Sequence, residues 1–219
     1  MSYKVINKEN YYRKGVYEHF TKGAKCSMSM TARIDVTSLF DFSKNTNTKF
    51  YINFLYILSK ALNSRDDYKM VYDWKSDELR CYDVINPTQY IFHEDTETCT
   101  PVYTNYDENY HTFYDNAKRD IENAKKTRDY GLDMENHPNW FDASYLSWLS
   151  YDSFNIELPD GYLFFNPIVN WGRFREKNGK LLMPISVRLN HAIADGYLIA
   201  NVFKQLEIEI NNFIKNQSK

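Results

Sequence analysis

Residues 181–196 of the chain read LLMPISVRLNHAIADG. The first part of this stretch, to Leu189, is too apolar for the exposed edge of a sheet and predicts a central strand. Pro184 lies inside it and predicts a bulge or a break in the pairing. After Asn190–Gly196 an apolar repeat predicts a helix that runs to about Ile214. The repeat recurs every four residues and consists of Leu198, Val202, Leu206 and Ile210.

A turn signal precedes the central strand. Residues 175–180 read REKNGK, and the Asn178-Gly179 pair within them is the strongest short hairpin signal. We therefore expect Leu181–Asn190 to pair as a hairpin with a strand in Phe164–Phe174. A further strand is predicted at Ser153–Leu158.

The first half of the chain contains both strand and helix periods. Cys26–Val36 alternates apolar and polar side chains, which predicts a strand with one buried face. Phe50–Leu62 spaces its apolar residues at three and four positions, as an amphipathic helix does. Asp77–Asp83 and Gln89–His93 predict short strands, and the polar stretch Asn109–Arg128 predicts a solvated helix.

Helices and strands follow one another without a βαβ rhythm. The expected fold class is therefore α+β, a two-layer sandwich in which helices cover a large mixed β-sheet. Few Gly and Pro residues and the absence of a biased segment indicate a single domain over residues 1–219.

The composition excludes several classes of function. Lys and Arg number 27 against 29 Asp and Glu, so the net charge is -2, and no run of like charges predicts a nucleic-acid or membrane partner. The start of the chain has no apolar signal segment, and no stretch approaches the length of a membrane span, which favours a cytoplasmic protein. The three cysteines, Cys26, Cys81 and Cys99, lack the spacing of metal ligands and are expected to be free thiols.

His191 follows the predicted central strand, and Asp195 and Gly196 come after it. A histidine held at a strand end with its ring facing a cavity suits a general base. Asp195 suits the N-cap of the next helix, and Gly196 permits close packing or an unusual backbone angle. Taken alone, the pattern favours a structural histidine and a helix cap over a catalytic site.

Five stretches in order, together with the His191 motif, resemble the chloramphenicol acetyltransferase family. They are CSMSMTARIDVT at 26–37, KFY at 49–51, FHEDTET at 92–98, SYLSWLSYDSFN at 144–155 and GKLLMP at 179–184. The resemblance runs from about Tyr12 to the C-terminus. It implies a CoA-dependent acyltransferase fold, acetyl-CoA as cosubstrate, no metal, and a small-molecule hydroxyl as acceptor, chloramphenicol first among them.

The resemblance also implies roles for catalytic residues. His191 is the base that deprotonates the acceptor hydroxyl for direct attack on the thioester, and Ser144 donates a hydrogen bond to the oxyanion. Asp195 pairs with Arg13 to hold the site together. Asn170 stands where the family usually has a threonine that holds a water near the intermediate.

Further residues fall at binding positions of the family. Lys49 and Trp148 correspond to positions that line the CoA channel. The acceptor-pocket positions are occupied by His19, Phe20, Cys26, Cys99, Phe154 and Ile156. His19 and Cys99 replace residues that are commonly phenylalanine, so a different hydroxyl acceptor is an alternative to chloramphenicol. Asn190 and Ser147 also depart from the family pattern.

The family assembles as a homotrimer, with the histidine of one subunit facing an acceptor pocket of its neighbour. The resemblance implies the same assembly here.

Two other interpretations stay open. One is the acyltransferase core of 2-oxo acid dehydrogenase complexes, although its lipoyl domain and linker are missing from this sequence. The other is a binding module that kept the fold and lost activity.

Overall fold

A mixed β-sheet forms the frame on which the other elements are arranged. The computed structural model describes residues 1–131, 133, 135–158 and 163–217. The strands are β1 (Tyr3–Val5), β2 (Ser27–Asp35), β3 (Met70–Asp73), β4 (Glu78–Tyr82), β5 (Asn86–His93), β6 (Thr98–Tyr103), β7 (Trp140–Leu146), β8 (Ile168–Gly172), β9 (Arg175–Lys177) and β10 (Lys180–Asn190). The α-helices are α1 (Lys14–Glu18), α2 (Thr37–Asn45), α3 (Phe50–Asn63), α4 (Tyr110–Ala124) and α5 (Gly196–Gln217).

The main sheet has the strand order β2-β10-β8-β7-β5-β6, with β9 paired to the start of β10. Strand β7 runs parallel to both β5 and β8, while the other pairs are antiparallel. A small separate sheet has the order β1-β4-β3. The expected mixed sheet covered by helices is therefore confirmed.

Strand β10 is central, as predicted, because it is hydrogen-bonded on both sides. Its ladder with β2 runs without a gap from Leu182 to Asn190. On the other side, pairing with β9 ends at Leu182 and pairing with β8 begins at Ile185. The interval contains Pro184, so the predicted break in pairing is confirmed on one side of the strand.

The predicted Asn-Gly turn and the pairing of β10 with a strand in Phe164–Phe174 are confirmed, but the tight hairpin forms with β9, inside the segment predicted as the connector. Asn178 and Gly179 connect β9 to β10 with φ angles of 54° and 74°. A two-residue hairpin turn of this kind requires a positive φ at both positions, which Asn and Gly adopt most readily. The prediction of a strand through Phe164–Phe174 was too long, since only Ile168–Gly172 forms β8.

The strand predicted at Ser153–Leu158 is wrong, because this segment is joined to the sheet by side chains and not by a ladder. Residues 149–158 lie across the polar face of the sheet. There the Tyr151 hydroxyl donates to the Asn170 carbonyl at 2.7 Å, and Ser29 donates to the Asn155 side chain. Arg33 forms an ion pair with Asp152 in the same way.

The opposite face of the sheet carries the apolar core, on which the helices pack. The Trp171 ring lies 5.1 Å from the Phe54 ring of α3, and the four repeat positions predicted for α5 are all buried in the same core. Helices α3 and α5 and strands β2, β4 and β5 confirm the predicted elements to within a few residues. Helix α4 is also confirmed, but it is amphipathic: Phe113 and Ala117 are fully buried.

Among the described residues, none of the helices combines the length and apolar character that crossing a bilayer requires.

Gly172 at the end of β8 allows the segment over the polar face to approach closely. A Cβ at this position would lie 2.9 Å from the Leu149 carbonyl oxygen and from two ring carbons of Tyr151. We expect Gly172→Ala to lower the free energy of unfolding by about 1–3 kcal/mol, because the backbone carbonyl has no space to move into. Denaturant unfolding at matched protein concentration measures this.

Gly15→Ala is the matched control, since a Cβ there meets nothing within 4 Å. It should be neutral or stabilise by up to about 1 kcal/mol, as Gly→Ala does at a helical position. Equal effects of the two substitutions would contradict the close approach at Gly172.

Candidate active site

The loop after β10 is built around His191. The His191 backbone N–H donates to the Cys26 carbonyl at 3.0 Å, which ties the loop to the residue before β2. The Asn190 carbonyl accepts from Ile193 and Ala194, and the Asn190 side-chain oxygen accepts from the Ala192 N–H at 2.9 Å. The asparagine that departs from the family pattern therefore organises the turn that presents His191.

The His191 ring is fixed in one orientation and one tautomer. Its Nδ1 lies 3.1 Å from the Ala194 carbonyl oxygen. A carbonyl only accepts hydrogen bonds, so Nδ1 carries the proton of the neutral ring and Nε2 keeps its lone pair. The Phe20 ring stacks on the imidazole with centroids 3.8 Å apart and planes at 12°. This arrangement presents Nε2 as a proton acceptor.

An ion pair fixes the end of the same loop. Arg13 Nη2 lies 2.8 Å from Asp195 Oδ2, and their side chains are 13% and 39% exposed. The other Asp195 oxygen accepts from the Leu198 N–H at 3.2 Å, as an N-cap of α5 does. The hydrogen bond from Arg13 holds the pKa of Asp195 below its usual value. The structure thus brings together the two residues expected to pair.

Ser144 lies in a polar row that crosses the sheet. The pairing register places Ser144 beside Asn170, Asn170 beside Ser186, and Ser186 beside Thr31. Neighbours in register point to the same face of a sheet, so these four side chains share the face opposite the helices. Thr31 and Ser186 share a hydrogen bond of 2.6 Å. Ser144 and Asn170 are thus placed side by side.

A cavity of about 540 Å³ opens next to Ser144. The parallel pairing of β5 with β7 ends at Gln89 and Ala143, and beyond this point β5 stays with β6 while β7 stays with β8. The strands separate there, and we call the space the β5–β7 cavity. Of the predicted site residues, it is lined by Ser144, Cys99, Trp148 and Ile156.

The predicted acceptor residues are divided between two places. Phe20 and Cys26 contact His191 of their own chain, and His19 meets Phe20 edge-on with centroids 4.7 Å apart. Phe20 and Cys26 thus lie beside His191 of their own chain, whereas Cys99 and Ile156 line the β5–β7 cavity. The reason is that Ser27 pairs with Asn190, which holds the residues before β2 against the His191 loop.

The remaining predicted residues differ in their exposure and contacts. Lys49 is exposed at the N-cap of α3, and its backbone N–H donates to the Tyr114 hydroxyl at 2.8 Å. Trp148 is 54% exposed and meets Phe92 edge-on at 4.9 Å. Phe154 lies over the polar face, 5.7 Å from the Tyr151 ring.

Within one chain, His191 and the Ser144 row are far apart. Two strand spacings separate Ser144 from Ser186, and five residues separate Ser186 from His191. At about 4.8 Å per strand and 3.3 Å per residue, their Cα atoms lie about 19 Å apart on a flat sheet. The two side chains of one subunit therefore do not reach the same bond of a substrate.

Asp142 is a cavity residue that the sequence interpretation missed. It precedes Ser144 by two positions on β7, and Tyr90 donates a hydrogen bond of 2.7 Å to its Oδ2. Burial raises the pKa of Asp142 to about 6. The alternation of Asp142 with Ser144 was the available signal. The burial of the Asp142 side chain depends on where β5 and β7 separate, and no local sequence pattern shows that point.

The structure also bears on metal and thiol chemistry. In the part of the chain that the structure describes, no group of three or more His, Cys, Asp or Glu side chains is arranged to hold a metal ion. Cys26, Cys81 and Cys99 are free, and Cys81 is buried. Burial raises the pKa of the Cys81 thiol to about 11.

Comparison with known proteins gives consistent results for sequence and structure. The family model for chloramphenicol acetyltransferase matches residues 1–207. A chloramphenicol acetyltransferase of Clostridium perfringens is 30% identical over 213 residues, covering 97% of each chain. Chloramphenicol acetyltransferase 3 of Escherichia coli is 30% identical over 218 residues, covering 98% of this chain and 100% of its own.

Solved structures show the same fold. A chloramphenicol acetyltransferase superposes with a TM-score of 0.87 at 20% identity, covering 95% of this chain and 100% of that one. A truncated catalytic core of the 2-oxoacid dehydrogenase multienzyme complex from Thermoplasma acidophilum superposes with a TM-score of 0.67 at 15% identity, covering 92% and 95%. The second likeness shows a shared fold only, whereas the first family also matches in sequence over nearly the whole chain. This chain belongs to the chloramphenicol acetyltransferase family.

Proposed function

We propose that this protein transfers the acetyl group of acetyl-CoA to a hydroxyl of a small molecule, with chloramphenicol as the first acceptor to test. The observation that carries the proposal is the hydrogen bond from His191 Nδ1 to the Ala194 carbonyl, which leaves Nε2 as a base. The family membership supplies the reaction class. The whole chain of residues 1–219 acts as one acetyltransferase domain in this proposal.

The reaction balances with His191 as a proton shuttle. Nε2 of His191 takes the proton of the acceptor hydroxyl while the hydroxyl oxygen attacks the thioester carbonyl carbon. A C–O bond forms, and the carbonyl electrons move to its oxygen to give a tetrahedral intermediate. When the intermediate collapses, the C–S bond breaks and the CoA sulfur takes the proton back from His191. No acyl-enzyme is formed.

Ser144 and Asn170 stabilise the intermediate in this proposal. The Ser144 hydroxyl donates a hydrogen bond to the oxyanion, and the buried Asn170 amide beside it holds the oxyanion or a water. Donors placed where charge develops in a site shielded from water account for several kcal/mol of the catalysis. The Arg13–Asp195 ion pair keeps the His191 loop in place and takes no part in proton transfer.

The active site is assembled from two copies of the chain. A general base acts within about 3 Å of the proton that it removes, yet His191 and Ser144 of one chain are about 19 Å apart. If His191 of one subunit lies against the β5–β7 cavity of another, the base and the Ser144 hydroxyl come close enough to act on the same substrate. We propose a homotrimer with three such sites, because a closed ring uses each surface once and leaves none unpaired.

Two exposed residues, Lys49 and Trp148, are the proposed contacts for acetyl-CoA. The exposed Lys49 ammonium has no ion-pair partner among residues that the structure describes, so it is free to meet a phosphate of CoA. Trp148 offers an exposed ring at the rim of the β5–β7 cavity. Because the reaction consumes acetyl-CoA, we propose that the protein works in the cytoplasm.

We expect His191→Ala to lower kcat by at least about 10²–10⁴-fold, the usual contribution of a general base, with little change in KM for acetyl-CoA. Release of CoA, followed with a thiol reagent and chloramphenicol as acceptor, measures both. His111→Ala is the matched control, since His111 is exposed on α4, outside the proposed site. Turnover by His191→Ala at the wild-type rate refutes the mechanism. If the wild-type protein releases no CoA with any acceptor tested, the result indicates a binding module.

We expect Ser144→Ala to lower kcat by about 10²–10³-fold, as loss of an oxyanion donor does. The same assay measures it at saturating acceptor, with Ser153→Ala on the exposed segment as the control. An increase in acceptor KM at unchanged kcat shows that Ser144 binds the acceptor and does not stabilise the intermediate.

A further inference from the structure

The β5–β7 cavity contains a carboxylate with one oxygen that has no partner. Asp142 and Ser144 lie two residues apart on β7, so their side chains point to the same face and both line the cavity. The Tyr90 hydroxyl donates to Asp142 Oδ2. Asp142 Oδ1 is buried and receives no hydrogen bond. A buried carboxylate oxygen without a donor is costly, which indicates that a donor comes from outside the chain.

No positive charge of the described residues compensates this carboxylate. Among the described residues that line the cavity there is no Lys, Arg or His. Asp142 itself takes part in none of the ion pairs found in residues 1–131, 133, 135–158 and 163–217. Above the raised pKa of about 6, the group is a negative charge that a group from outside the described chain neutralises, whether a ligand, solvent or the facing subunit.

The rest of the cavity wall is rich in aromatic rings. Six of them line it: Tyr51, Tyr90, Phe92, Tyr130, Tyr145 and Trp148. The faces of aromatic rings attract cations, most strongly those of Trp and Tyr when water is displaced. Tyr51 adds a second buried polar atom without a partner, its hydroxyl. A carboxylate surrounded by rings is the chemistry that binds an organic ammonium.

We propose that the β5–β7 cavity selects acceptors that carry a protonated amine, with Asp142 as its counter-ion. This inference rests on the proposed function, since it names the class of acceptor for the same site. Residues two apart on a strand have Cα atoms about 7 Å apart, so the ammonium and the reacting hydroxyl are separated by a few bonds. The acceptor is therefore an amino alcohol of moderate size, whose amine remains free during the transfer.

A matched pair of acceptors tests the selection. Both are 2-amino-1-phenylpropane-1,3-diols: one carries an N,N-dimethylamino group, which is protonated at neutral pH and forms no stable amide, and the other carries an N-acetyl group, which is neutral. We expect wild-type kcat/KM to favour the amine by at least about tenfold, as for one buried charge pair. Asp142→Asn should remove most of that preference, while Asp115→Asn, an exposed carboxylate on α4, keeps it.

Three outcomes decide the proposal. A wild-type enzyme that acetylates the amide as well as or better than the amine overturns it, whatever the variant does. An unchanged preference in folded Asp142→Asn also overturns it, because the carboxylate is then not the group that selects the amine. If neither compound is acetylated, the proposed function fails, and calorimetric titration of the same two compounds into wild type and Asp142→Asn still decides whether the cavity binds the amine.

Discussion

The register of β10 is the constraint on which the site depends. This strand is hydrogen-bonded to β2 without a gap from Leu182 to Asn190 and to β8 from Ile185 to Arg188. A slip by one residue would move the apolar side chains to the polar face and the polar side chains into the core, which would destabilise the fold. Two pairing partners therefore fix both the position of His191 after the strand and the alignment of Ser186 with Asn170 and Ser144.

The same register separates the proposed base, His191, from the proposed oxyanion donor, Ser144, within a chain. His191 is fixed beyond the end of β10, whereas Ser144 lies two strands away and further back along the sheet. A rigid sheet does not bend to close about 19 Å, which supports our proposal that a second copy of the chain completes the site. A divided site is consistent with Phe20 stacking on His191 while Cys99 and Ile156 line the β5–β7 cavity. In this proposal the base and the acceptor cavity are independent halves, so Asp142 would change the choice of acceptor without contacting the base.

Local patterns predicted the elements that local physics determines. The Asn178-Gly179 turn, β10 and α5 follow from backbone preference and apolar spacing, and all three are confirmed. The strand at Ser153–Leu158 was wrong because Asn155 and the preceding Tyr151 bond to the sheet face through their side chains, and the segment pairs with no neighbouring strand. Asp142 escaped notice because its isolation from positive charge arises only where β5 and β7 separate. The resemblance named the site residues and implied their division between subunits, and the sheet register supports that division through the distance it sets between His191 and Ser144.

The central claim is that each active site combines His191 of one subunit with Ser144 of another, and subunit mixing tests it most directly. Inactive His191→Ala and Ser144→Ala chains are unfolded together, refolded and checked by native mass spectrometry for mixed trimers. In every mixed ring one of the three interfaces then pairs an intact His191 with an intact Ser144. A random equal mixture should therefore recover about a quarter of the wild-type rate of CoA release. Mixed trimers with no more activity than the two parents would place both residues of each site on one chain and contradict the account.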